Sequence, residues 1–326
     1  MTSSTRLLWF SGQQRRKRAA VLAVLAILTL VGGSGWLLLG SGRIPRLARL
    51  ALQIPTTTPT PTLTHTPSPT PTYTLTCTPT STPEMIQALT IGESVQGRPL
   101  EVTRIGWGER VLVIAAAIHG SEPNTAYLAG KLRDRFADSI STLPGGVAVY
   151  FLPEINPDGL ASGRRFNAHT VDLNRNWRTE NWRPNPEGPY EAVLPQGGGL
   201  APFSEPETAA LAGWLLELKD EASGGVIALF YHSAYAGGSV QPGYATDGDV
   251  LSSDPQSAVV AGLLADQLDY NYLTKFPWYT VTGNEIGWCA ENGLTCAEIE
   301  LPTAGTPTEA EIDLHFRALW QLIGGR

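Results

Sequence analysis

Residues 55–83, PTTTPTPTLTHTPSPTPTYTLTCTPTSTP, cannot join a packed core, and this fixes how the rest of the chain can be organised. Proline removes backbone donors and favours extended polyproline II, and the run offers no apolar face to bury. At ~3.1 Å per residue it would reach ~90 Å as a stalk, its hydroxyls open to glycosylation. His65, alone in this tract, is not a ligand candidate. Beyond the stalk, residues 85–326 are an ordinary length for one α/β domain with a large core.

The N-terminal side reads differently. Ala19–Leu39, AAVLAVLAILTLVGGSGWLLL, carries no charge. At helical rise this stretch spans ~31 Å, the thickness of a bilayer's hydrocarbon core. It outruns the apolar region of a cleaved signal peptide, and Trp36–Leu39 continues past the small residues at 32–35. An uncleaved anchor is therefore expected. Arg6, Arg15, Arg16, Lys17 and Arg18 precede it, while Arg43, Arg46 and Arg49 follow, so the basic residues favour a cytoplasmic N-terminus. The expected organisation is a basic cytoplasmic segment (1–18), a single membrane span (19–39), a linker with its stalk (40–84) and an extracellular globular body (85–326). The net charge of −7, with no Lys/Arg stripe in the body, excludes nucleic acid as a partner. Cys289 and Cys296 could close a small disulfide loop or remain buried thiols. Cys77 has no partner in the chain and is either free or joins two copies.

Within the body, Val111–Ile118, Val147–Leu152 and Val226–Tyr231 are unbroken apolar runs of strand length, the pattern of strands covered on both faces. Leu100–Ile105 and Cys296–Leu301 read as further strands. Asn124–Phe136, Pro206–Leu218, Ala258–Leu268 and Glu309–Ile323 have helical spacing, and Ser204 precedes an acidic first turn at the second of these. Alternating strands and helices without an internal repeat predict a single α/β domain, its sheet mixed but largely parallel and flanked by helices. Ligands in such sheets bind beyond the carboxyl ends of strands. His119, Asn156 and His232 each follow a predicted strand, so the topology gathers them at one edge.

A catalytic zinc takes three protein ligands and leaves a position for water. His119 and Glu122 are three residues apart, and His232 would be the distant third. Asp172 is a natural partner for the other nitrogen of a ligating imidazole, unless it only caps a loop. Glu298 and Glu300 lie on the same face of one predicted strand, and alternation cannot separate them as bases.

These residues sit in a larger ordered set: His119-Gly120-Ser121-Glu122, Asn156-Pro157-Asp158-Gly159, Arg165-Phe166-Asn167, Val171 to Trp177, Ser204 to Thr208, His232-Ser233 and Glu300-Leu301-Pro302. From about residue 86 to 323 the chain resembles the zinc carboxypeptidases of the M14 type. Each motif is short; their order across nearly the whole body makes the resemblance specific. It implies one Zn²⁺ per chain on His119, Glu122 and His232. It selects Glu300 as the general base, taking a proton from zinc-activated water and returning it to the leaving amine. Arg165 would stabilise the developing oxyanion, and Asn174 with Arg175 would hold the terminal carboxylate of a peptide. Tyr279 would close over substrate from a mobile loop spanning 279–288. Ile286 falls where relatives set side-chain preference and implies a neutral pocket, although a slip of one residue to Glu285 would reverse that inference. Thr170 departs from the resemblance, standing where many relatives have Gly. Asn167-Ala168-His169 is similar to members that trim cell-wall peptides, with His169 structural or substrate-facing.

The implied activity is hydrolysis of C-terminal residues from peptides. The alternatives are a carboxypeptidase or amidase of diaminopimelate-type cell-wall peptides, a desuccinylase-like deacylase, and a non-catalytic peptide-binding module on a stalk.

Overall fold

The computed structural model describes residues 85–187, 196–247 and 250–324. The predicted N-terminal segment, anchor and stalk, with Cys77, lie outside these residues. Among the described residues, no helix is long and apolar enough to cross a membrane.

Ten strands are described: β1 Ile86–Glu93, β2 Pro99–Trp107, β3 Arg110–Ala116, β4 Val147–Leu152, β5 Val226–Ser233, β6 Ser239–Pro242, β7 Tyr244–Asp247, β8 Val250–Ser253, β9 Asn271–Tyr272 and β10 Thr295–Leu301. Eight of them form one sheet in the order β1-β2-β4-β3-β5-β10-β6-β9, and β7 pairs with β8 alone. The centre, β4-β3-β5-β10, is parallel. Antiparallel pairing enters at β1–β2, β2–β4 and β10–β6, which gives the mixed sheet.

The helices are α1 Pro123–Asp138, α2 Pro157–Ser162, α3 Pro206–Glu221, α4 Pro255–Leu268, α5 Glu285–Glu291 and α6 Glu309–Leu322. They cover both faces, and the side-chain alternation of β3 shows why its sequence is apolar throughout. Val111, Val113 and Ala115 pack on the side of Leu211, Leu215 and Trp288. Leu112, Ile114 and Ala116 pack on the side of Leu128, Leu264 and Leu319. Each large aliphatic side chain so buried contributes ~1.5–3 kcal/mol relative to exposure.

The central strands and long helices lie where periodicity predicts them, with three differences. The first is that β3 stops at Ala116, because Ala117 turns out of the strand with φ +51°, a conformation unusual for a residue with a Cβ. Second, His232 lies inside β5 and does not follow it. Third, residues 285–288, expected within a mobile loop, begin helix α5, anchored by Ile286, Trp288 and Cys289 in the core. Strand β1 has no continuous apolar run, being mostly exposed and held by its pairing with β2, so hydrophobic pattern alone does not reveal it.

Cys289 and Cys296 are both buried and unbridged. Burial and the adjoining Cys296 thiol push the Cys289 thiol well above its usual range, which makes it a poor nucleophile.

Candidate active site

One close backbone approach builds the platform. A Cβ on Gly120 would collide with the Gly159 backbone, so glycine allows the loop after β3 to lie against the start of α2. Asn156 locks this junction. Its side-chain oxygen accepts from Gly159 N at 2.8 Å, and its amide donates to Ile118 O at 3.2 Å and Arg165 O at 3.3 Å. Asn156 is thus fully buried behind the site and does not line the cavity, contrary to the strand-end expectation.

His119 leaves that loop, and Glu122 is the N-cap residue of α1, with Pro123 opening the helix. Glu122 Oε1 lies 2.7 Å from His119 Nδ1, and its Oε2 lies 3.5 Å from His232 Nδ1. One ligand atom from each of these residues can be chosen so that all three fall within 4.8 Å of one another. The outer ring nitrogens are already engaged: His119 Nε2 faces Asp172 Oδ1 at 3.2 Å, and His232 Nε2 faces Glu285 Oε1 at 3.1 Å. Three buried donors with occupied outer positions fit a single divalent cation on the Nδ1 side. Burial alone would raise the Glu122 carboxyl, but the two histidines overcome it and hold Glu122 well below the carboxylate range. Burial works against a charged His232, yet Glu298, Glu122 and Glu285 raise it well above its ordinary value.

Asp172 organises the facing wall. It accepts from Arg165 Nε at 2.9 Å and from Asn174 N at 3.0 Å, as well as facing His119. Burial opposes its ionisation, but Arg165, His119 and Arg175 hold it well below its usual value. The bond to Asn174 N starts a short 3₁₀ turn, Leu173–Arg175, which presents Asn174 and Arg175 to the cavity. Behind it, Asn176 donates to Gly198 O, Ala201 O and Ser204 Oγ, and accepts from Glu205 N and Thr208 Oγ1. The Ser204–Thr208 motif is therefore the socket for the turn. Just upstream, Thr170 has φ +66°, which explains why glycine suits that position and shows that Thr keeps the turn. His169 is turned away, its Nδ1 2.8 Å from Glu205 Oε2.

The resulting cavity has a volume of about 670 Å³ and is lined by His119, Glu122, Arg165, Asn174, Arg175, His232, Tyr279, Glu298 and Glu300 among others. Arg175 is only 2% exposed, yet no described carboxylate lies within ion-pair distance of it. It donates to Asn174 O at 2.6 Å and to the Tyr279 hydroxyl at 3.2 Å. A buried guanidinium without an acidic partner is prepared for an anion.

Glu300 and Glu298 both line the cavity, but their surroundings separate them. Glu300 stands beside His232 in the β5–β10 register, and its Oε2 has no hydrogen-bond partner. Burial raises its carboxyl to about 7, and the charges of His232, Glu122, His119 and Arg165 all reach it. Glu298 lies behind the imidazole, 3.9 Å from His232 Nε2. Burial, partly countered by His232 and reinforced by Glu285 and Glu300, pushes it up to about 8.

Ile286 is buried in the core and does not line the cavity, which corrects the expectation that it faces substrate. The residue that faces the metal ligand is Glu285. The sequence raises Glu285 only as the one-residue slip that would reverse the pocket's preference, and nothing in it points to the contact with His232; the available signal is a lone acid in an otherwise uncharged stretch ahead of Trp288.

These shifts give a pH-dependent result. In the metal-free protein Glu300 and Glu298 keep protons, up to about 7 and about 8, that an unfolded chain releases near 4.5. The unfolded state binds fewer protons in that window, so stability falls as pH rises from about 4.5 to about 8. The stability linked to His232 is likewise present below 6.5 and lost as pH passes its raised folded value. Zinc requires His232 without its extra proton, so it should stabilise more at pH 8 than at pH 5.5. At a hundredfold excess over Kd the gain is ~2.7 kcal/mol, roughly 5–10 °C in Tm for a domain of this size. Calorimetric scans with and without zinc at the two pH values test this, and equal shifts would refute it.

Comparison with known proteins places this geometry in context. A family model described as zinc carboxypeptidase matches residues 74–321. Murein peptide amidase A of Vibrio campbellii is 27% identical over 249 residues, covering 73% of this chain and 88% of that protein. An inactive metallocarboxypeptidase of Ajellomyces capsulatus is 29% identical over 181 residues, covering 47% of this chain but only 30% of its own length. Among solved structures, bovine thrombin-activatable fibrinolysis inhibitor aligns with a TM-score of 0.60 at 19% identity, over 74% of this chain and 90% of that one. At that identity the likeness bears on the fold alone.

Proposed function

The chain belongs to the zinc carboxypeptidase family, whose metal is zinc, and on that premise we propose that it removes C-terminal residues from peptides. The observation that carries this reading is Arg175, a buried cation without an acidic partner among the described residues, in the same cavity as His119, Glu122, His232 and Glu300. Arg175 and Asn174 bind the substrate's terminal carboxylate, which sets the last peptide bond against the triad. Zinc on His119, Glu122 and His232 would polarise the peptide carbonyl and lower the pKa of a bound water toward ~7. Glu300 accepts a proton from the attacking water and delivers it to the leaving amine, a task suited to a carboxyl poised near neutrality. Arg165, oriented through Nε by Asp172, offers its guanidinium to the developing oxyanion. Tyr279, already bonded to Arg175, covers the bound residue and excludes water.

The test is the full-length zinc-loaded protein with blocked peptides differing only in a free or amidated C-terminus. One terminal residue should leave the free-carboxylate peptide, with none from the amide and none after chelation. Equal cleavage of both would assign endopeptidase or deacylase chemistry. Zinc bound at one per chain with no turnover would favour the stalked binding module.

Cell-wall peptides are a substrate class favoured by one observation, the match over 88% of the length of a murein peptide amidase. Tethering of this activity outside the membrane rests on residues 15–39 and the 55–83 stalk. Protease accessibility of residues 85–326 on intact cells tests that placement.

A further inference from the structure

We propose that Asn124 is a positioning residue, holding the ligand Glu122 and the base Glu300 in register with His232. This deepens the peptidase reading: its Glu300 arm rests on that reading, while its zinc arm rests on the family's metal alone.

Asn124 is 5% exposed and lies in the first turn of α1, two residues beyond Glu122. Its Nδ2 donates to Thr303 O at 3.0 Å, and its Oδ1 accepts from Ser233 Oγ at 2.8 Å. A carbonyl can only accept, so Thr303 takes the N–H and fixes which way the amide faces. A buried amide needs partners wherever it lies. What singles this one out is where its partners stand: Ser233 follows His232, and Thr303 is three residues beyond Glu300.

The sheet by itself does not make this connection. The parallel register of β5 and β10 sets Glu300 opposite His232, but Glu122 lies outside the sheet as the N-cap of α1. Hydrogen bonds join the start of α1 to the ends of both strands: the two made by Asn124, and Ser233 N to Glu122 Oε2 at 3.2 Å. Pro123 stands between Glu122 and Asn124, and its fixed φ stiffens that link, so a tether on Asn124 also restrains Glu122.

At the other end, the chain leaves the sheet after Leu301, and residues 303–306 are exposed. The bond to Thr303 O holds this turn, and with it the end of β10, against the start of α1. A metal ligand and a base must each be placed to within about half an ångström. Outer contacts that orient metal ligands typically change metal affinity or activity ~10–100-fold.

The experiment uses the full-length protein, with Asn124→Ala removing both amide bonds and Ser233→Ala removing one. Zinc affinity is read by competition with a chelator, and calorimetry gives Tm with and without zinc. Asn124→Ala should weaken zinc binding ~10–100-fold and shrink the zinc-induced gain in Tm. Ser233→Ala keeps its N–H on Glu122 and the Asn124–Thr303 bond, so it should act in the same direction to a smaller extent. With zinc restored to one per chain, Asn124→Ala should lower kcat about tenfold and leave KM for free-carboxylate peptides within about twofold, because Asn174 and Arg175 are untouched.

A residue that only supports the fold would lower both Tm values equally and leave zinc affinity unchanged, which would overturn the proposal. A higher KM at unchanged kcat would also overturn it, assigning Asn124 to substrate binding. Weaker zinc in both variants, with no hydrolysis by the unaltered protein, would support the tether on Glu122 while sinking the peptidase reading. Should Asn124→Ala not fold, unchanged zinc affinity in Ser233→Ala overturns the proposal.

Discussion

Replacing Glu300 by Gln is expected to lower kcat by about 10³-fold, within the range general acid–base groups contribute, while zinc stays bound at one per chain. The substitution preserves volume and leaves His119, Glu122 and His232 in place, but an amide cannot accept and return the proton. Burial and the surrounding charges place the Glu300 carboxyl at about 7 before any metal is added. A cation on the neighbouring triad would lower it, keeping the carboxylate ionised as a base at neutral pH. Steady-state kinetics with parallel zinc analysis measures the effect. Activity within tenfold of the unaltered protein, at full zinc content, would assign the base elsewhere, with Glu298 next in line. The opposite pattern, in which zinc is lost together with activity, would mean that Glu300 holds the metal and is not a base.

Arg175→Ala should be nearly as damaging, but through binding. Removing one member of a buried charge pair costs ~2–5 kcal/mol, so kcat/KM for free-carboxylate peptides should fall roughly 10²–10³-fold, mainly through KM. The preference for free over amidated termini should disappear with it. Arg175→Lys should recover only part of the loss, because an ammonium lacks the planar fork that bonds both carboxylate oxygens. Arg175 also donates to Tyr279, so the aromatic cover loses an anchor in Arg175→Ala. A free-to-amide preference that survives this substitution would show that Arg175 is not the clamp.

His119 with Glu122, and Asp172 with Asn174 and Arg175, could be picked out as candidates because each group lies in a short segment whose spacing is set locally, whereas His232, distant in sequence, came in through the ordered set of motifs. His119 and Glu122 share one loop and helix start, and Asp172, Asn174 and Arg175 share one turn. Strand and helix positions were equally legible in the centre of the sheet, where both faces are buried and the apolar signal is continuous. Legibility failed at β1, held by edge pairing, and at residues 285–288, where a mobile loop was expected and helix α5 begins. It failed too for Asn156, whose motif is explained by a backbone junction and not by contact with substrate.

What the sequence by itself determined is the inventory: apolar strands that must be covered on both faces, polar residues at or near their carboxyl ends, and an ordered set of motifs with metal-binding and anion-binding chemistry. Only the tertiary structure decided how near-equivalent residues divide the work. Alternation places Glu298 and Glu300 on one face, but the parallel register of β5 and β10, with α5 packed beside them, sends Glu300 toward the triad and Glu298 toward Glu285. A one-residue difference at the start of α5 likewise sends Glu285 to His232 and Ile286 into the core. Periodicity fixes which way a side chain points from its own element; what it meets there depends on strands and helices far away in sequence.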